Sequence, residues 1–293
     1  MILYSQHSNR ERDFLDGKNE IKLHILHCGS ISLPARAAYI KDSPLRRLKL
    51  PVSVYLIEHP VHGKILVDTG LSAEGIALMP DYLRSFYRPE LESGQSAVNQ
   101  LAAMGISPED IDVLIITHND FDHTCALGDF AGRAKQIVMS EHEYFWSCRT
   151  VFKLRQVWDT YIPYSDLIER RFYYGSVQGP IGRGFDLFGD DSVLCIACPG
   201  HTDGQMAIML NKSPSGRFKN AGAGTYGNAF AVLASDAAFS QRNIDTLVVP
   251  GYGFDRARQR ESMQWLSKLQ TDAQCVGIFC SHDADVKPQT LVF

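Results

Sequence analysis

Asp112-Val113-Leu114-Ile115-Ile116-Thr117-His118-Asn119-Asp120-Phe121-Asp122-His123 is the stretch that decides the fold. Its first half, Asp112–Thr117, is apolar and rich in β-branched residues, as a strand buried on both faces requires. Its second half packs four metal-ligand side chains, His118, Asp120, Asp122 and His123, into six residues. A loop at a strand end can turn several such groups toward one point. Imidazole and carboxylate together suit zinc, iron, manganese or cobalt. Asp and Asn are also ordinary turn formers, so the hexad alone leaves a plain turn open.

The same arrangement recurs downstream. Pro199-Gly200-His201-Thr202 follows the apolar run Ser192–Ala197, Ser235-Asp236 follows Phe230–Ala234, and His282-Asp283 follows Val276–Cys280. Upstream, Val52–Glu58 and Lys64–Asp68 flank the turn formers Pro60 and Gly63 and read as a hairpin. The second run ends in Asp68-Thr69-Gly70. Strand ends carrying His or Asp, repeated along the chain, predict one shared rim to which separate strands deliver ligands. Ile21–Cys28, Gln136–Ser140 and Met206–Leu210 are further strand candidates. Ser93–Met104, Glu141–Cys148 and Arg256–Gln270 have helical spacing. Strands and helices in this order are compatible with two sheets sandwiched between helices, an α+β architecture.

Composition narrows the function. A formal net charge of −4 over 293 residues gives no basic footprint for nucleic acid. No run approaches eighteen apolar residues, so no membrane span is expected. Met1–Asp16 is polar and charged, without the apolar stretch of an export signal. A cytoplasmic protein acting on a small molecule is the resulting expectation. The seven cysteines are odd in number and irregularly spaced, against a disulfide framework. Cys195 and Cys198 form a C-x-x-C, but strand alternation places them on opposite faces, as core thiols. Residues 1–20 read as a flexible lead-in. Residues 21–293 read as one domain, with a helical insertion near 149–174.

The ligand-bearing strand ends, together with Leu50-Pro51-Val52, Tyr55–Glu58, Ile65–Gly70 and Phe279–Asp283, resemble the metallo-β-lactamase superfamily over nearly the whole chain. In appearance they are nearest to its N-acyl-homoserine lactonase branch. The resemblance implies an αββα sandwich of two mixed sheets and a pair of divalent metal ions, Zn, Fe or Mn. His118, Asp120 and His201 would hold one ion and Asp122, His123 and His282 the other. Asp236 would bridge them, and Asp68 would orient ligands from behind. It further implies hydrolysis of an ester-like bond, a lactone first, with Asp122 carrying the proton to the leaving oxygen. Thioester hydrolysis of the glyoxalase II kind and a non-catalytic metal-binding protein are the alternatives.

Two positions depart from the family pattern. Asp120 stands where the family has its second His, which adds a carboxylate and favours harder metals. Phe239 stands where lactonases of the branch carry a tyrosine, and loss of such a donor costs about 2.7–4 kcal/mol in the transition state. Tyr252 is a candidate replacement, or a plain surface aromatic. Phe121 is a candidate acyl-pocket residue or a packing residue. The aromatic segments Tyr82–Arg88 and Arg149–Tyr174 are expected to set specificity, or to serve a homodimer interface.

Overall fold

The computed structural model describes residues 20–147, 170–212 and 229–293. The first sheet opens with two long antiparallel strands, β1 (Lys22–Pro34) and β2 (Arg47–His59). A tight turn returns β2 into β3 (Gly63–Val67), so the expected hairpin is present. Next, β4 (Val113–Ile115), β5 (Ile137–Ser140) and β6 (Arg170–Phe172) add in parallel. The second sheet holds β7 (Gly175–Ser176), β8 (Arg183–Asp186), β9 (Val193–Ala197), β10 (Met206–Asn211), β11 (Phe230–Ser235) and β12 (Cys275–Cys280). It is antiparallel except between β11 and β12. The last strand, β13 (Gln289–Val292), crosses back to pair with β1. Both sheets are therefore mixed, as expected.

The side-chain period of two sorts each strand between layers. From β9, Val193, Cys195 and Ala197 enter the core between the sheets. Leu194, Ile196 and Cys198 face the outer core beneath the helix Arg256–Leu269. Cys195 and Cys198 thus lie on opposite faces, and burial pushes the Cys198 thiol up to about 12. On β4, Val113 and Ile115 point between the sheets, while Leu114 and Ile116 face the outer core with the helices Asp81–Tyr87 and Ala97–Ala103. Three cores in four layers make the αββα sandwich. Truncating a fully buried residue such as Ile115 to alanine would cost about 2–5 kcal/mol.

Of the helical insertion expected near 149–174, the residues 170–172 form the strand β6. Residues 148–169, and residues 1–19 of the lead-in expected over 1–20, lie outside the described residues. The sequence reading did not find β6, β7, β8 or β13. All four are short or polar, and none shows clean alternation. Among the described residues, no helix is long and apolar enough to cross a membrane.

Candidate metal centre

The predicted rim exists. β3, β4, β9, β11 and β12 all end at one edge of the sandwich, and each releases its polar residue there. Two of these exits use left-handed backbone: Asp68 has φ 62° after β3, and Ser235 has φ 48° at the end of β11. Such a conformation costs a non-glycine residue on the order of 1–3 kcal/mol. The surrounding hydrogen bonds hold it in place.

All seven predicted ligands are buried and converge. The donor atoms of His118, Asp120 and His201 lie within 4.8 Å of one another, and so do those of Asp122, His123 and His282. A third group, His118, His123 and Asp236, overlaps both. Asp236 stands at the centre. Its oxygens lie 3.9 Å from His118 Nε2, 3.5 Å from His201 Nε2, and 3.3 Å from both His123 Nε2 and His282 Nε2. Asp120 reaches the centre from the helical turn Phe121–Thr124, which it precedes. Its Oδ2 is 2.9 Å from His201 Nε2 and 3.8 Å from His118 Nε2. Asp122 Oδ2 is 3.3 Å from His282 Nε2.

The backs of the imidazoles fix which nitrogen faces inward. His201 Nδ1 lies 2.8 Å from the Tyr252 carbonyl, and His282 Nδ1 lies 2.8 Å from the Pro51 carbonyl. A carbonyl only accepts, so both Nδ1 atoms carry the proton. His123 Nδ1 likewise donates to Asp68 Oδ2 at 2.8 Å. Asp68 also accepts from the Thr117 backbone N–H and hydroxyl, on the strand that leads into the hexad. Asp68 thus lies behind His123 and ties its ring to that strand. The Nε2 atom of each of these three rings is left as a lone pair aimed at a carboxylate. Nε2 of His118, Nε2 of His123 and Oδ1 of Asp236 are buried without a hydrogen-bond partner.

Three carboxylates facing the Nε2 atoms of four imidazoles are stable when a cation or proton lies between them. The electrostatics of these side chains reflects that crowding. Burial pushes the His123 ring down, but Asp236, Asp68 and Asp122 outweigh it and hold it well above its usual range. His282 is raised in the same way, burial being overcome by Asp236 and Asp122. Asp236 is held well below the carboxylate range by His282 and His123, against the opposite effect of burial. Burial, with His123 adding to it, holds His118 well below the usual imidazole range, and burial lifts Asp122. The donor chemistry, the unpaired atoms and the spacing fit two divalent ions, whose binding would compete with protons at these groups.

The candidate substrate residues are placed less simply. Phe121 is fully buried and packs on Tyr87, with ring centroids 4.3 Å apart. Phe239 is buried between His201 and His282, at 5.6 and 4.9 Å. It is an apolar wall of the centre. Tyr252 does touch the site, but through its carbonyl on His201; its hydroxyl lies 2.5 Å from that of Tyr87. Cys125 is buried, and burial lifts its thiol to about 11, which makes it inert filler.

Sequence reasoning missed a supporting layer. The buried Gln259 side chain donates to the Asp236 carbonyl at 3.1 Å. The Gln205 side-chain oxygen accepts from the backbone N–H groups of Asp236 and Ala237. Gln259 lies on a helix whose polar face looks solvated in sequence, so no local signal marks it. The Pro51 and Tyr252 carbonyls carry no side-chain signal at all.

Comparisons with known proteins place the fold. The chain is 23% identical over 277 residues to N-acyl homoserine lactonase AttM of Azorhizobium caulinodans, covering 92% of this chain and 95% of that protein. It is 24% identical over 276 residues to AttM of Agrobacterium fabrum, covering 91% and 92%. Among solved structures, an N-acyl homoserine lactone hydrolase with N-hexanoyl-L-homoserine at its catalytic metal centre superposes with a TM-score of 0.69 at 22% identity. That match covers 90% of this chain and 94% of the other. AidC, a dizinc quorum-quenching lactonase, superposes with a TM-score of 0.60 at 15% identity over 93% and 94% of the two chains. The pattern of the metallo-beta-lactamase superfamily matches residues 47–210, more than half of the sequence, and the chain belongs to that superfamily.

Proposed function

We propose that the chain is a dinuclear metal-dependent hydrolase that opens a lactone, with an N-acyl homoserine lactone as the first substrate to test. The observation that carries this reading is the position of Asp236, within 4 Å of all four imidazoles and between two complete donor groups. His118, Asp120 and His201 would hold one ion, and Asp122, His123 and His282 the other. When bound, such ions supply Lewis acidity toward a carbonyl and activate water near neutral pH.

The protein's own part is carried by its side chains. The Nδ1 bonds of His123, His201 and His282 hold three rings in the ligating tautomer. Asp122, on the turn that carries His123, would pass a proton to the leaving oxygen from its carboxyl oxygens. Phe239 excludes water from one side of the centre. Phe86, Tyr87 and Tyr252 form an aromatic group near His201, with ring centroids 5.0–6.2 Å apart. That surface suits an acyl chain better than a charged tail. A thioester hydrolase of the glyoxalase II kind would clasp a glutathione tail with basic residues, and the helix Arg256–Leu269 carries Arg256, Arg258, Arg260 and Lys268. There Arg258 donates to Asp203 at 2.9 Å and Arg260 to the Leu247 carbonyl. These two pairings count against a glutathione clasp at Arg258 and Arg260.

The test is turnover of a series of N-acyl homoserine lactones, simple esters and thioesters by protein loaded with zinc, iron or manganese. Acid release from the lactones, abolished by a chelator and by Asp236→Ala, is expected. Metal-loaded protein that turns over none of the three classes refutes the reading and leaves a non-catalytic metal binder.

A further inference from the structure

The metal-ligand loops after β4 and β9 are tied together by a residue from neither. Glu143 lies on the helix Glu141–Ser147 and is 1% exposed. Its Oε1 accepts the backbone N–H of Asn119 at 2.9 Å, between His118 and Asp120. Its Oε2 accepts the hydroxyl of Thr202 at 2.6 Å, next to His201. One buried carboxylate therefore spans the two loops that supply the first donor group. Bonds from a carboxylate are short and strong, and burying that charge is unfavourable without such partners.

The helix is itself pinned at this point. Ser140 Oγ accepts the Glu143 backbone N–H at 3.1 Å and donates to the Gly204 carbonyl at 3.0 Å. Tyr174 donates to the same carbonyl at 2.9 Å. Gly204 packs so closely that a Cβ there would overlap the backbone of His142 and Glu143. The carboxylate is thus anchored from behind and holds both loops from the front. The second donor group is oriented elsewhere, His123 by Asp68 and His282 by the Pro51 carbonyl.

We propose that Glu143 is a positioning residue that sets the separation of His118 and Asp120 from His201, and so the affinity of the first metal position but not the second. This inference rests on the two-ion reading of the centre. Glu143 acts on the ligands through Asn119 and Thr202. Glu143→Gln keeps the tether, because the amide oxygen can accept from Asn119 and the amide N–H can donate to the Thr202 hydroxyl. Glu143→Ala loses both bonds.

The experiment is cobalt(II) titration of the metal-stripped full chain, followed by visible absorption and by competition with a chelator. His282→Ala leaves the first donor group whole, and His201→Ala leaves the second whole. Glu143→Ala is expected to weaken cobalt binding about 10–100-fold in the His282→Ala background, and to leave it unchanged in the His201→Ala background. Glu143→Gln should restore the first affinity and its spectrum. Where Glu143→Ala does not fold, Thr202→Val, which removes one of the two bonds, is expected to produce a smaller loss confined to the first group. Equal weakening of both groups, no weakening of either, or Glu143→Gln as damaging as Glu143→Ala overturns the proposal. An unsubstituted chain that takes up no cobalt refutes the two-ion reading beneath it.

Discussion

Replacing Asp68 by asparagine exchanges one oxygen for an NH2 group and should disable half of the centre. The backbone there has φ 62°, a conformation asparagine tolerates better than most residues. Asp68 Oδ1 accepts the Thr117 backbone N–H at 2.8 Å, and that N–H can only donate. The amide oxygen of the substituted side chain must therefore occupy the Oδ1 position, and its NH2 group must face His123 Nδ1. In the native chain Nδ1 donates to Oδ2 at 2.8 Å. Two donors cannot share that contact, so the ring must move its proton to Nε2, the atom that points at Asp236 from 3.3 Å. A protonated Nε2 cannot ligate a metal. Loss of such an orienting partner costs about 10–100-fold in metal affinity, which is about 1.4–2.7 kcal/mol. The assay is zinc affinity by chelator competition on Asp68→Asn, with a thermal melt of the metal-free protein as control for folding. Folded Asp68→Asn with the zinc affinity of the parent for both ions would refute the tautomer argument and the role given to Asp68.

Other expectations follow from the same geometry. His59 is buried, and its Nδ1 accepts the backbone N–H groups of Val61 and His62 at 3.2 and 3.1 Å. Burial, then the charge of His62, lowers its pKa to about 4. The neutral ring is the folded form, so its contribution is complete above pH ~6.5 and is lost as pH falls to about 4, for roughly 3 kcal/mol in all. Denaturant melts across that window should show this slope, and His59→Leu should flatten it; an unchanged slope would remove His59 as the cause. The Tyr252 hydroxyl is held by Tyr87, so Tyr252→Phe is expected to lower kcat by less than about tenfold on an N-acyl homoserine lactone. A loss of about 10²–10³ would instead identify it as the carbonyl donor absent at Phe239. Gly204→Ala should destabilise the fold by about 1–3 kcal/mol, because the added methyl meets the helix backbone at Glu143. A melt unchanged by this substitution would contradict the close packing.

The centre was legible in sequence because its ligands sit at strand ends. An apolar run followed by His or Asp is a local signal, and several such runs ending at one rim require no knowledge of distant contacts. Asp120 departs from the family pattern, yet the helical turn that begins after it brings its carboxylate against His201. The supporting layer was not legible. The Pro51 and Tyr252 carbonyls are backbone atoms, so residue type carries no trace of their role. Glu143 sits among acidic and aromatic neighbours, where a solvated helix face is the ordinary reading. Its burial depends on the loop between β9 and β10 folding over it from far along the chain. In the fold, the strands with continuous apolar runs are legible and their ends shift by a few residues. Short strands such as β7 and β8 are defined by pairing with neighbours, not by their own pattern. Phe121, beside Asp120 and Asp122 in sequence, packs on Tyr87, whereas Phe239, singled out because it stands where the lactonase branch has a tyrosine, lies against His201 and His282.

His118, Asp120, His201, Asp122, His123, His282 and Asp236 together are expected to hold two metal ions, and the functional reading stands on that. The most direct measurement is elemental analysis of the purified protein after metal loading and exhaustive dialysis, beside the Asp236→Ala variant. Two ions per chain in the parent, with both lost or weakened when Asp236 is removed, is the predicted result. A folded parent that retains none, or a variant that retains both as tightly as the parent, would contradict it.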